Sequence, residues 1–316
     1  MRAIGYWFRI PALSGGPASL RAGIGGGRSR PAGTRALQFF VGWLTLTGCS
    51  LASTSPSLTP PASPLSIPPG EVIEFSAQLN AEMQRLAGAS GGKGDIAEAR
   101  CAVAVPADFS PERAWPVLLV SATSDPGYNS SRALLRQFAP PALRAGWIVI
   151  AADPPREVGV AADTDALRYA LLAAALERLQ AGWPGLARWP RAFGGFSGGA
   201  KHSALLGAFS LLLGHPPIGI YQAGCNQATM RTVLTLSGLP RDRFLATPVF
   251  LSSGRQDRIA PPDVMEDVAD ELTSAGFRTV KLEHFAGDHE VYTPHIETAL
   301  RWFAKCAEHP PEPAPR

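Results

Sequence analysis

Short apolar runs alternate along residues 98–306 with longer stretches in which apolar side chains recur at helical spacing. The runs are rich in β-branched residues, and a short continuous apolar run predicts a strand that is buried on both faces. The longer stretches predict helices. The predicted strands cover residues 100–105, 115–121, 147–151, 193–196, 218–222, 248–252 and 279–283. The predicted helices cover residues 130–144, 163–180, 197–212, 226–236, 263–275 and 293–306.

This alternation predicts an α/β protein with a mostly parallel central sheet and helices on both faces. In such a sheet the functional site lies at the carboxyl ends of the strands. Pro140-Pro141 is expected to break or kink its helix. Asn226 is expected to cap the helix that runs towards Leu236. Residues 71–88 fit either a strand followed by a helix or a single helix.

Because 46% of the 316 residues are apolar, the chain can form a sizeable core, and we expect disorder only in segments of it. The formal charge of +3 is unevenly spread, since residues 1–48 hold six arginines and no acidic residue. The rest of the chain has 23 basic and 26 acidic side chains, a net charge of −3. This balance gives no reason to expect nucleic-acid binding.

The amino-terminal region has the features of an export signal. Residues 36–48 form an apolar run directly after Arg35, too short to span a bilayer comfortably. The run ends in Leu46-Thr47-Gly48-Cys49, which resembles the bacterial lipobox. That resemblance implies a lipidated Cys49, a membrane anchor and a location in the bacterial cell envelope, facing the periplasm or in the outer membrane. The alternatives are an ordinary signal peptide and a buried amino-terminal helix.

The proposed boundaries follow from these shifts in composition. Residues 1–48 are the expected export signal, and residues 49–70 are the lipidated cysteine and a Pro/Ser-rich tether with almost nothing to bury. Residues 71–308 form the expected folded domain, and residues 309–316 form a Pro-rich tail.

The segment Gly195-Phe196-Ser197-Gly198-Gly199 fits the G-x-S-x-G pattern of a nucleophile elbow. In this turn a strand leads sharply into a helix and exposes the serine hydroxyl at the end of the sheet. A serine in a strained backbone conformation draws the flanking residues together, so positions 195 and 199 have little room for a Cβ atom. The elbow falls between a predicted strand and a predicted helix, as this interpretation requires.

A serine nucleophile needs a histidine base and a group that orients the histidine. Asp257 follows the predicted strand 248–252, and His289 follows the predicted strand 279–283. The elbow, the acid loop and the Gly287-Asp288-His289 loop resemble the α/β-hydrolase family in type and order. The resemblance covers residues 98–306 and implies that Ser197 is the nucleophile, His289 the general base and then acid, and Asp257 the residue that orients His289.

Other acids and histidines fit these roles less well. Asp263 and Asp267 lie in or at the start of a predicted helix, where acids commonly interact with the helix dipole. Asp288 adjoins His289, but neighbouring side chains in a loop often point apart. His202 lies five residues after Ser197 in one helix and is expected to be an exposed or capping histidine.

The same resemblance implies an oxyanion hole with one N–H donor at Gly198 and a second in the loop 121–128. This loop lacks the common His-Gly form, so Ala122 and Thr123 are both candidates for the second donor. Residues on loops at this end of the sheet are candidates for the substrate pocket or are plain loop residues: Tyr128, Asn129, Cys225 and Asn226.

The expected function is cleavage of carboxylic esters through a serine acyl-enzyme, without a cofactor. A peptidase or amidase with the same triad and a catalytically silent lipid-anchored binding protein are the alternatives. No metal-ligand spacing appears in the sequence. If Cys49 is lipidated, the other three cysteines form either one disulfide or none: Cys101, Cys225 and Cys306. The oligomeric state does not follow from the sequence.

Overall fold

The computed structural model describes residues 63–89, 95–156, 158–159 and 163–308. These residues belong to one compact unit. The predicted export signal, Cys49 and the Pro-rich tail therefore lie outside the described residues. None of the helices in the described ranges combines the length and the apolar character needed to cross a bilayer.

Eight strands form one sheet, and their bounds follow the apolar runs closely. They are β1 (Val72–Gln78), β2 (Glu98–Ala104), β3 (Val117–Ser121), β4 (Ile148–Asp153), β5 (Arg191–Phe196), β6 (Pro217–Ala223), β7 (Val249–Gly254) and β8 (Val280–Phe285). The spatial order is β1-β2-β4-β3-β5-β6-β7-β8. Pairing is antiparallel between β1 and β2 and between β2 and β4, and parallel elsewhere. The prediction of a mostly parallel sheet is confirmed.

Helices cover both faces of this sheet. They are α1 (Ala81–Ala87), α2 (Ser131–Arg144), α3 (Asp165–Gln180), α4 (Gly198–Leu212), α5 (Thr229–Val233), α6 (Arg241–Leu245), α7 (Pro262–Ser274) and α8 (Thr293–Glu308). One core joins the sheet to α3, α4 and α7, and the other joins it to α2 and α8. Because the sheet is buried on both sides, its central strands are mostly apolar.

A predicted helix break and a predicted helix cap were wrong. Helix α2 runs through Pro140 and Pro141 to Arg144 without a break. Two missing backbone donors do not end this helix, because Phe138, Pro141 and Ala142 are buried and hold it against the sheet. Asn226 does not cap a helix, since α5 begins at Thr229 after Ala228.

The structure decides between two pairs of alternatives. Residues 71–88 form a strand and then a helix, β1 and α1. Cys101, Cys225 and Cys306 are unpaired, so they form no disulfide among themselves. Burial raises the pKa of the Cys101 thiol to about 12 and also raises that of Cys225.

The last residues of the predicted tether contact the domain. Leu65 and Ile67 are partly buried against the core. The Arg178 guanidinium donates a hydrogen bond to the Ser63 carbonyl at 2.9 Å. Residues 63–70 therefore run along the surface of the folded domain, because two apolar side chains among the prolines pack against its core.

Candidate active site

Ser197 occupies the sharp turn between β5 and α4. Its backbone angles are φ 55° and ψ −120°, and it is the only non-glycine residue with positive φ in the described ranges. Such a conformation is strained for an L-residue and persists only where the surrounding structure enforces it. The Ser197 N–H donates to the Ala223 carbonyl at 2.8 Å, which ties the turn to the end of β6.

Gly195 and Gly199 occupy positions with no room for a Cβ atom. A Cβ atom on Gly195 would lie 2.6 Å from the Ser121 carbonyl oxygen and would also collide with Gly199. A Cβ atom on Gly199 would lie 2.9 Å from the Ala122 carbonyl carbon. The steric prediction for these two positions is confirmed, and it places the elbow directly against the end of β3.

His289 and Asp257 are joined by a hydrogen bond between the loops that follow β8 and β7. His289 Nδ1 lies 2.7 Å from Asp257 Oδ2, and Asp257 is buried. The other carboxylate oxygen, Oδ1, accepts from the N–H groups of Ile259 and Ala260 at 2.8 Å each. A carboxylate only accepts, so Nδ1 of His289 carries the proton and Nε2 is left as the acceptor.

The other candidate acids do not contact the His289 ring. Asp288 Oδ1 accepts from the backbone N–H of its neighbour His289 at 2.8 Å. Asp263 lies in the first turn of α7. Asp267 lines a surface depression beside Arg231 and Glu271.

Ser197 and His289 line one pocket of about 640 Å³. The His289 ring packs on Phe196, with ring centroids 4.6 Å apart. It also lies against Gly224, where a Cβ atom would come within 2.9 Å of the imidazole Cε1. These two contacts restrict the orientation of the imidazole.

The three candidate oxyanion donors differ in their surroundings: Ala122 and Thr123 line the pocket, and Gly198 directly follows Ser197, which also lines it. The Gly198 N–H belongs to the first residue of α4, where helix N–H groups have no partner within the helix. The Ala122 N–H instead donates to Ser131 Oγ at 3.1 Å, which removes Ala122 as a donor. Thr123 lines the pocket beside the elbow, since a Cβ atom on Gly198 would lie 3.2 Å from Thr123 Cα.

Only one of the candidate pocket residues lines this pocket. Tyr128 does, and its side chain is 79% exposed. Asn129 lines a neighbouring polar depression beside Asp153. The Asn226 side chain donates to the Ile259 carbonyl at 2.9 Å, and Cys225 is buried with its thiol directed to the Gln227 carbonyl.

Sequence reasoning missed most of the pocket wall. Its other lining residues include Leu134, Gln137, Phe196, Ile259, Glu290 and Val291. The one signal that the sequence offered is an isoleucine in the acid loop. The structure shows that this residue, Ile259, is 59% exposed. The helix α2 residues carry no such signal, because a core-facing position and a pocket-facing position have the same apolar character.

Two histidines outside the candidate triad have partners that the sequence did not reveal. His202 is half-buried, with Nδ1 2.6 Å from Asp165 Oδ1 and Nε2 3.0 Å from Ser124 Oγ, so the expected exposed or capping role is wrong. His295 is buried and lies 2.8 Å from Ser252 Oγ through Nδ1. In the described ranges no group of three His, Cys, Asp or Glu side chains is placed to hold a metal ion.

Known proteins resemble this chain in structure. No protein-family model matches the sequence, and no curated protein matches it. An α/β serine hydrolase homologue from Coxiella burnetii matches with a TM-score of 0.50 at 12% identity, over 76% of this chain and 99% of that one. A ferulic acid esterase matches with a TM-score of 0.50 at 11% identity, over 74% and 99%. These similarities, with the sheet order and the elbow, show that the chain has the α/β-hydrolase fold.

Proposed function

We propose that the protein is a serine hydrolase that cleaves carboxylic esters through an acyl-enzyme on Ser197. The observation that carries this proposal is the joint placement of the Ser197 elbow and the His289–Asp257 pair on one pocket. A strained serine, an oriented imidazole and a buried carboxylate are the parts that nucleophilic acyl transfer requires. The esterases and serine hydrolases that share the fold support the same class of reaction.

In the first half of the reaction, His289 Nε2 takes the hydroxyl proton while Ser197 Oγ attacks the ester carbonyl carbon. The carbonyl π electrons move onto the oxygen, and the resulting oxyanion accepts hydrogen bonds from the N–H groups of Gly198 and Thr123. The tetrahedral intermediate collapses, the bond to the alkoxy oxygen breaks, and the leaving alcohol takes the proton from His289. The acyl group stays on Ser197.

In the second half, water replaces the alcohol. His289 removes a proton from the water, which attacks the acyl carbon, and the free carboxylic acid leaves as Ser197 recovers its proton. Asp257 stays ionised throughout and stabilises the imidazolium that forms twice in the cycle. Its two bonds from the Ile259 and Ala260 N–H groups hold the carboxylate in place.

The pocket wall favours uncharged substrates with an apolar group. Tyr128, Ile259 and Val291 offer apolar surface, and the two charged side chains of the described wall, Asp125 and Glu290, are both acidic. A carboxylate on the substrate would be repelled by these two residues. An ester between an apolar acid or alcohol and an uncharged partner fits this wall.

Turnover of matched substrates tests the proposal. We expect hydrolysis of p-nitrophenyl esters and much slower hydrolysis of p-nitroanilides with the same acyl group. Ser197→Ala should lower kcat by about a thousandfold or more. Faster cleavage of the anilides would instead indicate an amidase or peptidase. A folded wild-type protein without turnover on either substrate, whose cellular phenotypes Ser197→Ala leaves unchanged, would favour the catalytically silent binding protein.

We also propose that the domain is held at the bacterial envelope by a lipid on Cys49. The support is the sequence of residues 36–49, which lies outside the described residues. Cys49→Ser should move the protein from the membrane fraction to the soluble fraction of cells. Continued association of that variant with membranes would contradict the anchor, and it would leave the hydrolase proposal untouched.

A further inference from the structure

We infer that Arg168, together with the Asp165–His202–Ser124 chain, positions the second oxyanion donor of this active site. The inference rests on the proposed hydrolase function and identifies what holds Thr123 in place. It assigns Arg168, Ser124, His202 and Asp165 as positioning residues, since they act on the reaction through the loop 122–124.

Arg168 lies on α3, and its guanidinium binds the loop 122–124. Its side chain is buried, with the residue only 6% exposed. Nη1 donates to the Ala122 carbonyl at 2.8 Å, and Nη2 donates to the Thr123 carbonyl at 3.3 Å. Nη2 also lies 2.5 Å from Asp163 Oδ2, an ion pair that fixes the guanidinium.

The Ala122 carbonyl and the Thr123 N–H belong to the same peptide unit. A trans peptide is planar, so its carbonyl and its N–H point in opposite directions. A guanidinium on the carbonyl side therefore sets the direction of the Thr123 N–H on the other side of the peptide. Thr123 itself packs against Gly198, where an added Cβ atom would lie 3.2 Å from Thr123 Cα. The positive charge also polarises this peptide and makes its N–H a stronger donor.

The next residue is held by a second set of bonds. Ser124 Oγ lies 3.0 Å from His202 Nε2, and His202 Nδ1 lies 2.6 Å from Asp165 Oδ1. The carboxylate places the proton on Nδ1, so Nε2 accepts the Ser124 hydroxyl proton. Ser124 Oγ in turn accepts from Arg168 Nη2 at 3.4 Å, which joins the two sets.

This second Ser-His-Asp series has the connectivity of a catalytic triad but a different position. Ser124 is not among the residues that line the Ser197 pocket, and its hydroxyl lies between His202 and Arg168. Helices α3 and α4 thereby hold the loop after β3 at three consecutive residues, Ala122, Thr123 and Ser124. Loops without secondary structure are the mobile parts of a protein, and an oxyanion donor must be preorganised.

Ser124→Ala is the mildest test, because it removes one hydroxyl and leaves the Arg168–Asp163 pair intact. Loss of one oxyanion donor costs about 100- to 1000-fold in kcat, and loosening one should cost ~10- to 100-fold with KM unchanged. Arg168→Lys should lower kcat similarly, since one ammonium cannot span both carbonyls. Ser210→Ala is the matched control, a buried serine of α4 whose hydroxyl donates to the His215 carbonyl.

A readout specific to the oxyanion separates positioning from general destabilisation. A trifluoromethyl ketone forms a tetrahedral oxyanion on Ser197, whereas an ether of the same shape cannot. We expect the Ki of the ketone to rise in Ser124→Ala and Arg168→Lys by the factor lost in kcat, with the Ki of the ether unchanged. An unchanged kcat in Ser124→Ala, or equal weakening of ketone and ether, would overturn the inference.

Failure of the hydrolase proposal would look different. A wild-type protein without turnover and without affinity for the ketone would refute the proposed function and the inference with it. Turnover and ketone binding that persist unchanged in both variants would refute the positioning role alone.

Discussion

Asp257 holds His289 through one carboxylate oxygen and is itself held through the other. Oδ2 lies 2.7 Å from the imidazole Nδ1, and Oδ1 accepts two backbone N–H groups of the loop that follows. The carboxylate therefore cannot rotate without losing three hydrogen bonds. This arrangement fixes the tautomer that leaves His289 Nε2 free to act as a base.

Asp257→Asn should lower kcat by about a thousandfold or more with the fold intact. The amide can still accept through oxygen, but its NH₂ group can force the wrong histidine tautomer. Asp288→Asn is the matched control, because its side-chain oxygen still accepts from the His289 N–H. Steady-state kinetics with one ester substrate gives kcat for both variants. Equal losses in the two variants would contradict the assignment of Asp257.

Gly199→Ala should destabilise the protein, since the added methyl group would meet the end of β3. We expect the free energy of unfolding to fall by ~2 kcal/mol or more. Gly182→Ala is the control, because the nearest heavy atom to a Cβ atom there lies 3.4 Å away. Urea denaturation gives both values. A Gly199→Ala variant as stable as Gly182→Ala would show that the elbow is looser than described.

Tyr128 and Ile259 should contribute to the binding of substrates with large apolar groups. They are two of the three large apolar side chains that are strongly exposed in the described ranges, and both line the Ser197 pocket. Partial burial by substrate is worth ~1 kcal/mol for each side chain, about a fivefold change in KM.

Tyr128→Ala and Ile259→Ala should therefore raise KM for a hexanoate ester more than for an acetate ester. Leu213→Ala removes the third such side chain, which is 48% exposed and lies outside this pocket. It should leave both KM values unchanged. If Leu213→Ala and Tyr128→Ala alter KM alike, the exposed side chain of Tyr128 does not bind substrate.

His295 should make the fold sensitive to acid. Burial lowers the pKa of His295, the neighbouring Lys281 and His284 act in the same direction, and Glu283 opposes them. In the unfolded chain His295 takes up a proton near pH 6.5, whereas in the folded protein it does so only at a lower pH. This contribution to stability is complete above pH 6.5 and is lost as the pH falls from there towards the lowered folded pKa.

The free energy of unfolding should accordingly fall from pH 7 to pH 5, and His295→Gln should reduce that fall. His215 has a lowered pKa as well, so part of the slope should persist. Urea denaturation at several pH values measures the effect. A slope that is the same with and without His295 would show that its surroundings do not oppose protonation.

The fold and the relation between the three loops follow from the sequence because both depend on local patterns. Apolar runs mark the strands, and parallel strands bring their carboxyl ends to one edge of the sheet. The order of strands and loops along the chain is therefore enough to group Ser197, Asp257 and His289. It also favours Asp257 over Asp288 as the partner of His289, because Asp257 lies on a different loop at the same edge.

The pocket wall and the support of the loop 122–124 could not be predicted in this way. Arg168 looks like the polar side of a helix until α3 is placed beside the loop 122–124. His202 looks exposed until Asp165 and Ser124 are placed beside it. These contacts join residues far apart in the chain, and no periodicity in the sequence encodes them.

Covalent labelling of Ser197 tests the central claim most directly. A fluorophosphonate reacts with a serine that an adjacent base activates, loses fluoride and leaves a stable phosphonyl group that peptide mass spectrometry can locate. We predict one label per chain, on Ser197, in the folded wild-type protein, slow labelling in His289→Ala and none in Ser197→Ala. A folded wild-type protein that stays unlabelled, or a label that persists in Ser197→Ala, would contradict the account.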